Sequence, residues 1–86
     1  MMKTQDLILE LIREERIFQE DKYGKQAHTF GEWLGILVSQ CGSVASAVTY
    51  LLCQDINERG KRNYLKKNLI QVAAVAVAWL ESLEED

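Results

Sequence analysis

The chain has 86 residues, of which 48% are hydrophobic and 27% are charged, and its formal net charge is -3. The length excludes more than one domain, the composition excludes a disordered tail, and the acidic balance argues against a dedicated duplex-DNA binder. Because a core of this size barely offsets the loss of chain entropy, we expect residues 1–86 to form one domain that assembles into a homo-oligomer, a dimer, a tetramer or a higher assembly.

No proline is present, so nothing forbids long helices. Residues at helical spacing predict a first helix over residues 3–20. These are Leu7, Ile8, Leu11, Ile12, Glu15 and Phe18. Polar residues and Gly24 then break the period, and Thr29 with Glu32 has the Thr-x-x-Glu spacing of a capping box. The second helix is therefore expected to start there.

The stretch from Trp33 to Gln54 carries no charged residue and is long enough to raise the question of a membrane span. Its many polar residues, with Gln40 among them, argue against that interpretation, as do the ordinary amphipathic patterns on either side. We interpret it as a helix that is buried nearly all round, at the centre of a helical assembly.

A polar segment with one glycine, Asn57–Arg62, is predicted to be a linker, and Tyr64–Leu83 is predicted to be the third helix. A short helix in the first loop would make a fourth. The third helix contains nine consecutive apolar residues, Val72–Leu80, which need cover on every side. One small chain supplies too little cover, so we expect an all-α bundle in which the second and third helices pair with their copies.

The two cysteines, Cys41 and Cys53, lie too far apart on one helix to bond each other and are interpreted as small buried hydrophobes. Together with the single histidine they do not form a spaced set of zinc ligands. The start of the chain lacks the apolar region of a signal peptide, so we expect a cytoplasmic protein.

Two segments bracket nearly the whole chain: Gln19–His28 followed by Glu32–Leu37, and Leu69–Glu81. The first resembles the opening of the MazG-like nucleoside triphosphate pyrophosphohydrolases, and the second resembles the last core helix of that family. The resemblance implies an all-α, oligomeric domain related to nucleotide pyrophosphatases.

Members of that family carry a Glu-Glu-x-x-Glu motif on the helix after the tryptophan and a Glu-x-x-Asp-type pair on the next core helix. All five acids are replaced in this chain. The matching positions hold Ser39, Gln40, Ser43, Asn68 and Gln71. Because neutral side chains lack the charge that offsets the dehydration of Mg²⁺, we expect no metal site, no cofactor and no catalytic residue.

A neutral pocket could instead bind an anion directly, without a bridging metal. Basic groups and the start of the third helix, placed near Asn63, are expected to surround it, and three aromatic rings could stack on a base. The expected ligand-binding residues are the five replacements named above together with Lys22, Tyr23, Lys25, His28, Trp33, Arg59, Lys61, Arg62 and Lys66. The same residues also fit structural roles, with Trp33 and Trp79 as core and the basic cluster as a solvated helix start.

Three hypotheses follow. The first is an inactive relative that binds and sequesters a nucleotide, or a cyclic or ADP-ribose-type signal, without hydrolysis, as a phage-encoded anti-defence protein would. The second is an oligomeric module that binds a protein partner. The third is a metal-dependent pyrophosphohydrolase that uses Mg²⁺ and the acids at helix ends, Glu20, Asp21, Asp55 or Glu58.

Overall fold

A computed structural model describes residues 3–25, 27–53 and 58–85, with the side chains of Cys53, Glu58, Arg59 and Lys61 outside the description. Three helices account for almost all of these residues: α1 (Thr4–Tyr23), α2 (Phe30–Cys53) and α3 (Glu58–Glu84). The described residues contain no strand, which confirms the all-α prediction. The described part of the first loop contains no fourth helix.

The first helix runs three residues further than predicted and ends at Tyr23, with Gly24 as its C-cap. This glycine has φ 73°, in the left-handed region that favours a residue without a Cβ, and its N–H donates to the carbonyl oxygen of Glu20 at 2.7 Å. Asp21, Lys22 and Tyr23 can all adopt helical dihedrals, so the polar composition that predicted an earlier break does not end the helix.

The predicted capping box is confirmed at the start of α2. The N–H of Thr29 donates to Oε1 of Glu32 at 2.8 Å, and the N–H of Glu32 donates to Oγ1 of Thr29 at 3.2 Å. The pKa of the Glu32 carboxyl lies below its ordinary value of 4.5. The hydrogen bond that the Thr29 backbone donates is the main cause, and hydrogen bonding with the Thr29 side chain is the second.

We expect Thr29→Ala to lower the free energy of unfolding by about 1 kcal/mol, because the substitution removes the side-chain acceptor at the start of α2. Thermal and urea unfolding followed by circular dichroism at fixed protein concentration measure this loss. Thr29→Ser, which keeps the hydroxyl, is the matched control and should stay close to the unchanged protein.

The stability that Glu32 contributes at the start of α2 depends on pH in a direction that follows from its lowered pKa. Because the pKa of Glu32 is lower in the folded chain, its contribution to stability is present above about pH 4.5 and is lost as the pH falls through the lowered value. The difference in stability between the unchanged protein and Glu32→Gln, which removes the ionisable carboxyl, should therefore shrink below pH 4.5. A difference that stays constant down to pH 2 would contradict the assignment.

The prediction of a linker over Asn57–Arg62 is wrong for Glu58–Arg62, which lie in α3. Glu, Arg and Lys favour helices, and the single Gly60 costs only about 1 kcal/mol in a helix that continues for many turns. Asn57 lies outside the described residues. Because α3 starts at Glu58, Asn63 is in its second turn, and the expectation that free backbone N–H groups near Asn63 face an anion is also wrong.

The described helices lie side by side with α3 in the middle, because α1 and α2 each pack against α3 and not against each other. Two ring pairs show that α2 and α3 are antiparallel. Trp33 stacks on Trp79 with ring centroids 6.2 Å apart, and Tyr50 lies 6.2 Å from Tyr64. The start of α2 therefore faces the end of α3, and the first loop passes close to the end of α3, where Lys25 pairs with Glu85 at 3.1 Å.

The buried core lies between α2 and α3. It consists of Trp33, Ala47, Leu51, Ala74, Val75 and Ala78. The core role predicted for Trp33 is confirmed, and Ala74 and Ala78, within the apolar run predicted to need cover, are buried. Trp79 is only half-buried.

Many apolar residues stay exposed within one chain. The first helix has no buried residue, and Leu7, Ile8 and Phe18, which carry its helical spacing, are exposed. The single chain does not cover the second helix all round, so the burial expected in an assembly stays a prediction, and Cys41 is exposed in this chain. Because α1 and α2 pack on α3 and not on each other, neither covers the other, which is why these apolar faces stay open.

The folded chain exposes 6675 Å², whereas a compact monomer of the same mass exposes about 5,200 Å². Its radius of gyration is 14.6 Å, against about 12 Å for a compact domain of the same length. The chain therefore leaves apolar surface open that a typical monomer would cover.

Among the described residues, Phe30–Leu52 of α2 is long and apolar enough to cross a membrane, and little of it is buried within the single chain. Length and composition alone support this, and a core helix of a soluble protein can meet the same criteria. The cytoplasmic location stays a prediction.

Candidate functional site

A cleft of about 450 Å³ opens between α1 and α2 above the surface of α3, and we call it the loop cleft. The walls come from α1 and α2, the floor comes from α3, and the first loop closes one end. Its lining consists of Gln19, Tyr23, Lys25, Ala27, His28, Trp33, Ile36, Gln40, Val75 and Ala78. A volume of this size suits a small molecule, and the lining contains no carboxylate.

Trp33 is the inner aromatic surface of the loop cleft. Its side chain is 1% exposed, and His28 meets it edge to face with ring centroids 4.8 Å apart and an interplanar angle of 87°. The ring of Trp79, on α3, stacks on the ring of Trp33 with an interplanar angle of 9°. The contacts fix the tryptophan in place, so it forms a rigid packed base beneath the cleft and leaves the more exposed rings to Tyr23 and His28.

Among the described residues, three buried donor groups have no hydrogen-bond acceptor. They are Nε1 of Trp33, Nε1 of Trp79 and Nη1 of Arg16, and they come from all three helices. Burying a donor without an acceptor costs free energy, so such groups favour an acceptor supplied from outside the chain. Of the three residues, Trp33 lines the loop cleft.

Arg16 ties α1 to the end of α3. Its Nε donates to Oε1 of Glu81 at 2.8 Å, and its side chain is 12% exposed whereas that of Glu81 is 44% exposed. A weaker contact of 4.0 Å joins Arg16 to Glu20 on the same helix. This pair holds α1 beside α3 and so fixes one wall of the loop cleft.

Two lysines predicted to bind the ligand have other partners. The ammonium group of Lys22 lies 5.3 Å from the ring centroid of Tyr23 and 5.9 Å from that of Phe18. Lys25 lines the loop cleft while it pairs with Glu85. Because Lys25 is largely exposed, its charge stays available to an anion at the cleft mouth.

A shallower depression continues from the loop cleft along α2 and shares His28, Ile36 and Gln40 with it. Ser39 lines this depression, and Glu32 contributes the one carboxylate in its lining. The hydroxyl of Ser43 donates to the carbonyl oxygen of Ser39 at 3.3 Å. Of the predicted residues, Tyr23, Lys25, His28, Trp33, Ser39 and Gln40 are thus brought together around the two cavities.

The basic residues of α3 are placed elsewhere in the single chain. Lys66 lines a groove between α1 and α3, where Glu14 and Glu15 also lie. Arg62 is exposed, whereas Arg59 and Lys61 have side chains outside the described part. The α3 residues that line the loop cleft begin at Val75, nine positions after Lys66 or about 13 Å along the helix. Within one chain these cations do not surround the cleft.

The two remaining predicted residues on α3, Asn68 and Gln71, lie outside the cavities described above. The amide of Asn68 donates to the carbonyl oxygen of Tyr64 at 2.9 Å, one turn earlier. Gln71 is half-buried and lines none of the three cavities described here. Neither residue lies at the wall of the loop cleft.

The resemblance implies Mg²⁺, but the residues at the matching positions do not fit it. They are neutral, and both Ser43 and Asn68 use their side-chain donors on backbone carbonyls of their own helices. The nearby carboxylate, Glu32, accepts the hydrogen bond of the cap. In the part of the chain that the structure describes, no group of three His, Cys, Asp or Glu residues could hold a metal ion.

Sequence reasoning did not assign two residues that shape the site, Gln19 and Arg16. Ile12, Arg16, Gln19 and Tyr23 follow one another at spacings of four, three and four along α1. This spacing places them on one face of a helix. The helical period, applied to polar as well as apolar residues, could have predicted that this face points toward the site.

No protein family, curated protein or solved structure matches the chain. The likeness to MazG-like enzymes therefore stays a prediction from two sequence segments.

Proposed function

We propose that the chain is a MazG-like protein that binds a nucleotide-type small molecule, such as a cyclic or ADP-ribose-type signal, and holds it without hydrolysis. The observation that carries the proposal is the loop cleft, which combines the exposed ring of Tyr23, amide and basic side chains, and a lining without carboxylates. A flat base suits the rings, and a phosphate suits a cavity without negative charge.

The polar groups of the loop cleft support recognition of such a ligand. Gln19 and Gln40 place amides on opposite walls, and Lys25 and His28 lie in the loop that closes one end. Amides can donate to and accept from a base edge, and Lys25 can pair with a phosphate. Without a metal site at the matching positions, retention is favoured over cleavage.

We also propose that the protein is a cytoplasmic homo-oligomer. The exposed surface exceeds that of a compact monomer of this mass by about 1,500 Å². Standard interfaces bury about 800 Å² on each partner, so this excess is enough for one contact with a copy and for part of a second. The excess also supports the second candidate, an oligomeric module that binds a protein partner.

The test is to incubate the pure protein with a broad mixture of nucleotides, including cyclic and ADP-ribose species, with and without Mg²⁺, and to identify the retained and converted species by mass spectrometry. A species retained intact without metal is the expected result. Conversion that needs metal would favour the pyrophosphohydrolase, and neither retention nor conversion would favour the interaction module.

Gln40→Glu should weaken binding of a retained phosphate-containing species about tenfold or more, because it adds a negative charge to the lining of the loop cleft. Dissociation constants measured by calorimetry give the change. The matched control is Gln5→Glu, which makes the same change on the exposed start of α1, far from the cleft. Equal affinities for both variants would show that the ligand does not bind in this cleft.

A further inference from the structure

One side of α2 carries a continuous apolar line that the described residues of the same chain leave uncovered. We call it the α2 seam, and it consists of Leu34, Val38, Cys41, Ala45, Val48 and Leu52. Successive members are four, three, four, three and four residues apart, which keeps them within about 40° of one line along the helix. All six are exposed, and Leu52 reaches 82%.

The rest of the chain packs against other sides of α2. The residues of α2 that are buried against α3 are Trp33, Ala47 and Leu51, and among the described residues α1 does not pack against α2. On the helix Trp33 and Leu51 lie about 100° from the α2 seam, and Ala47 lies about 140° from it. Gln40 and Ile36, which line the loop cleft, lie about 120° and about 160° from the seam on the same side, and no seam residue lines the cleft.

The α2 seam is symmetric in side-chain size about position 43. Leu34 and Leu52 are each nine residues from this point, Val38 and Val48 are each five, and Cys41 and Ala45 are each two. In an antiparallel pair of identical helices related by a two-fold axis, each residue meets its counterpart across position 43. Leucine would then meet leucine, valine would meet valine, and the two smallest residues would meet at the centre.

We propose that the α2 seam is the contact between two copies of this chain, with the two α2 helices antiparallel and position 43 on the two-fold axis. This proposal rests on the proposed homo-oligomer. It adds which surface forms the contact, the relative direction of the two α2 helices and the register in which their residues meet. Small residues at the centre let the helix backbones approach closely, while larger ones fill the space on either side as the helices diverge. An unrelated partner would need no such symmetry.

The size of the open surface and the charges of α3 favour a copy over a lipid surface. The excess of about 1,500 Å² leaves room for a standard contact of about 800 Å² on each chain. A membrane around α2 would also have to accept the helix packed along it, which carries Arg62, Lys66 and Lys67. Ionised side chains are strongly disfavoured at the centre of a bilayer.

The proposed contact leaves the ligand site open. Because the residues of the loop cleft lie on the far side of α2, each chain of the pair keeps its own cleft accessible from solvent. The dimer would therefore bind two ligand molecules, one for each chain. A pair joined through the cleft face would instead block both sites.

The direction of pairing is tested with two chains that each carry one cysteine. The first is Cys53→Ser, which keeps Cys41, and the second is Cys41→Ala with Ala45→Cys and Cys53→Ser. The antiparallel register places a cysteine at position 41 opposite one at position 45 of the other chain, so mild oxidation should give a disulfide-linked dimer in the mixture and little in either chain alone. Efficient linking of each chain alone would indicate parallel helices and overturn the register.

A charge exchange tests the same contact without cysteines. Val38→Glu and Val48→Lys should each weaken the dimer, because each places a charge opposite a valine of the copy. The double variant carries both, so the antiparallel pair gains two opposite-charge contacts and should recover at least tenfold in the dissociation constant over either single variant. In parallel helices the double variant would place like charges together and dissociate further.

Solution mass by light scattering and helicity by circular dichroism accompany both experiments. A two-chain mass for the unchanged protein without the mixed disulfide or the charge rescue would leave the homo-oligomer standing and overturn the α2 seam as its contact. A single-chain mass would overturn both. Flotation of the unchanged protein with phosphatidylcholine vesicles, abolished by Val38→Glu, would show that the α2 seam binds lipid and would also overturn the proposal.

Discussion

Trp33→Ala is expected to lower the free energy of unfolding by about 3–5 kcal/mol. Trp33 is the only large side chain that is fully buried in the described residues, and the rings of His28 and Trp79 both contact it. A domain of this length has a total stability of about 4–13 kcal/mol, so the substitution removes a large part of it. Urea unfolding at one fixed protein concentration measures the loss, since assembly makes stability depend on concentration.

Two variants control this prediction. Trp33→Phe keeps an aromatic ring at the position and removes the buried indole N–H that lacks an acceptor, so it should cost clearly less than alanine. Leu9→Ala shortens an exposed side chain on α1 and should change stability by less than about 0.5 kcal/mol. A loss below 1 kcal/mol for Trp33→Ala would show that the tryptophan does not hold the core together.

Local signals in the sequence were enough to predict the three helices and the start of α2. The Thr29–Glu32 pattern acts within one turn, so it works whatever the rest of the chain does, and both of its hydrogen bonds form. The break at Gly24 is also local, because it depends on a positive φ at one residue. The start of α3 was missed because a single glycine among good helix formers was given too much weight.

Burial could not be predicted in the same way. An apolar side chain such as Leu34 or Val38 indicates only that some cover is favourable, and it does not say whether that cover comes from the same chain. The order α1, α3, α2 across the molecule leaves these residues open, and this order depends on how the helices meet. The seam becomes apparent only when exposure and helical spacing are considered together.

The candidate site was predictable where its residues are close in sequence. Tyr23, Lys25, His28 and Trp33 come from one short segment around the first loop, and they meet in the loop cleft. The cations of α3 were grouped with them by charge, but the helix that carries them is rigid and extends away from the cleft. Arg16 was missed because its importance comes from a partner 65 positions away in the sequence, which no local pattern indicates.

Breaking the ion pair between Arg16 and Glu81 is expected to have the second large effect on stability. Glu81→Ala should lower the free energy of unfolding by about 2 kcal/mol, because it leaves the largely buried Arg16 guanidinium without its main acceptor. Removing one partner of a fully buried pair costs about 3–5 kcal/mol, and the smaller value reflects the partial exposure of Glu81. Since α1 has no buried residue, hydrogen exchange should rise most strongly in its backbone.

Replacing both partners distinguishes an unpaired charge from the loss of the pair itself. Arg16→Met combined with Glu81→Leu removes the charge and the acceptor together and keeps apolar bulk between α1 and α3, so it should cost less than Glu81→Ala alone. A double variant that is less stable than Glu81→Ala would mean that the pair itself stabilises the fold. The wall of the loop cleft moves with α1, so Glu81→Ala should also weaken ligand retention, whereas the double variant should preserve it.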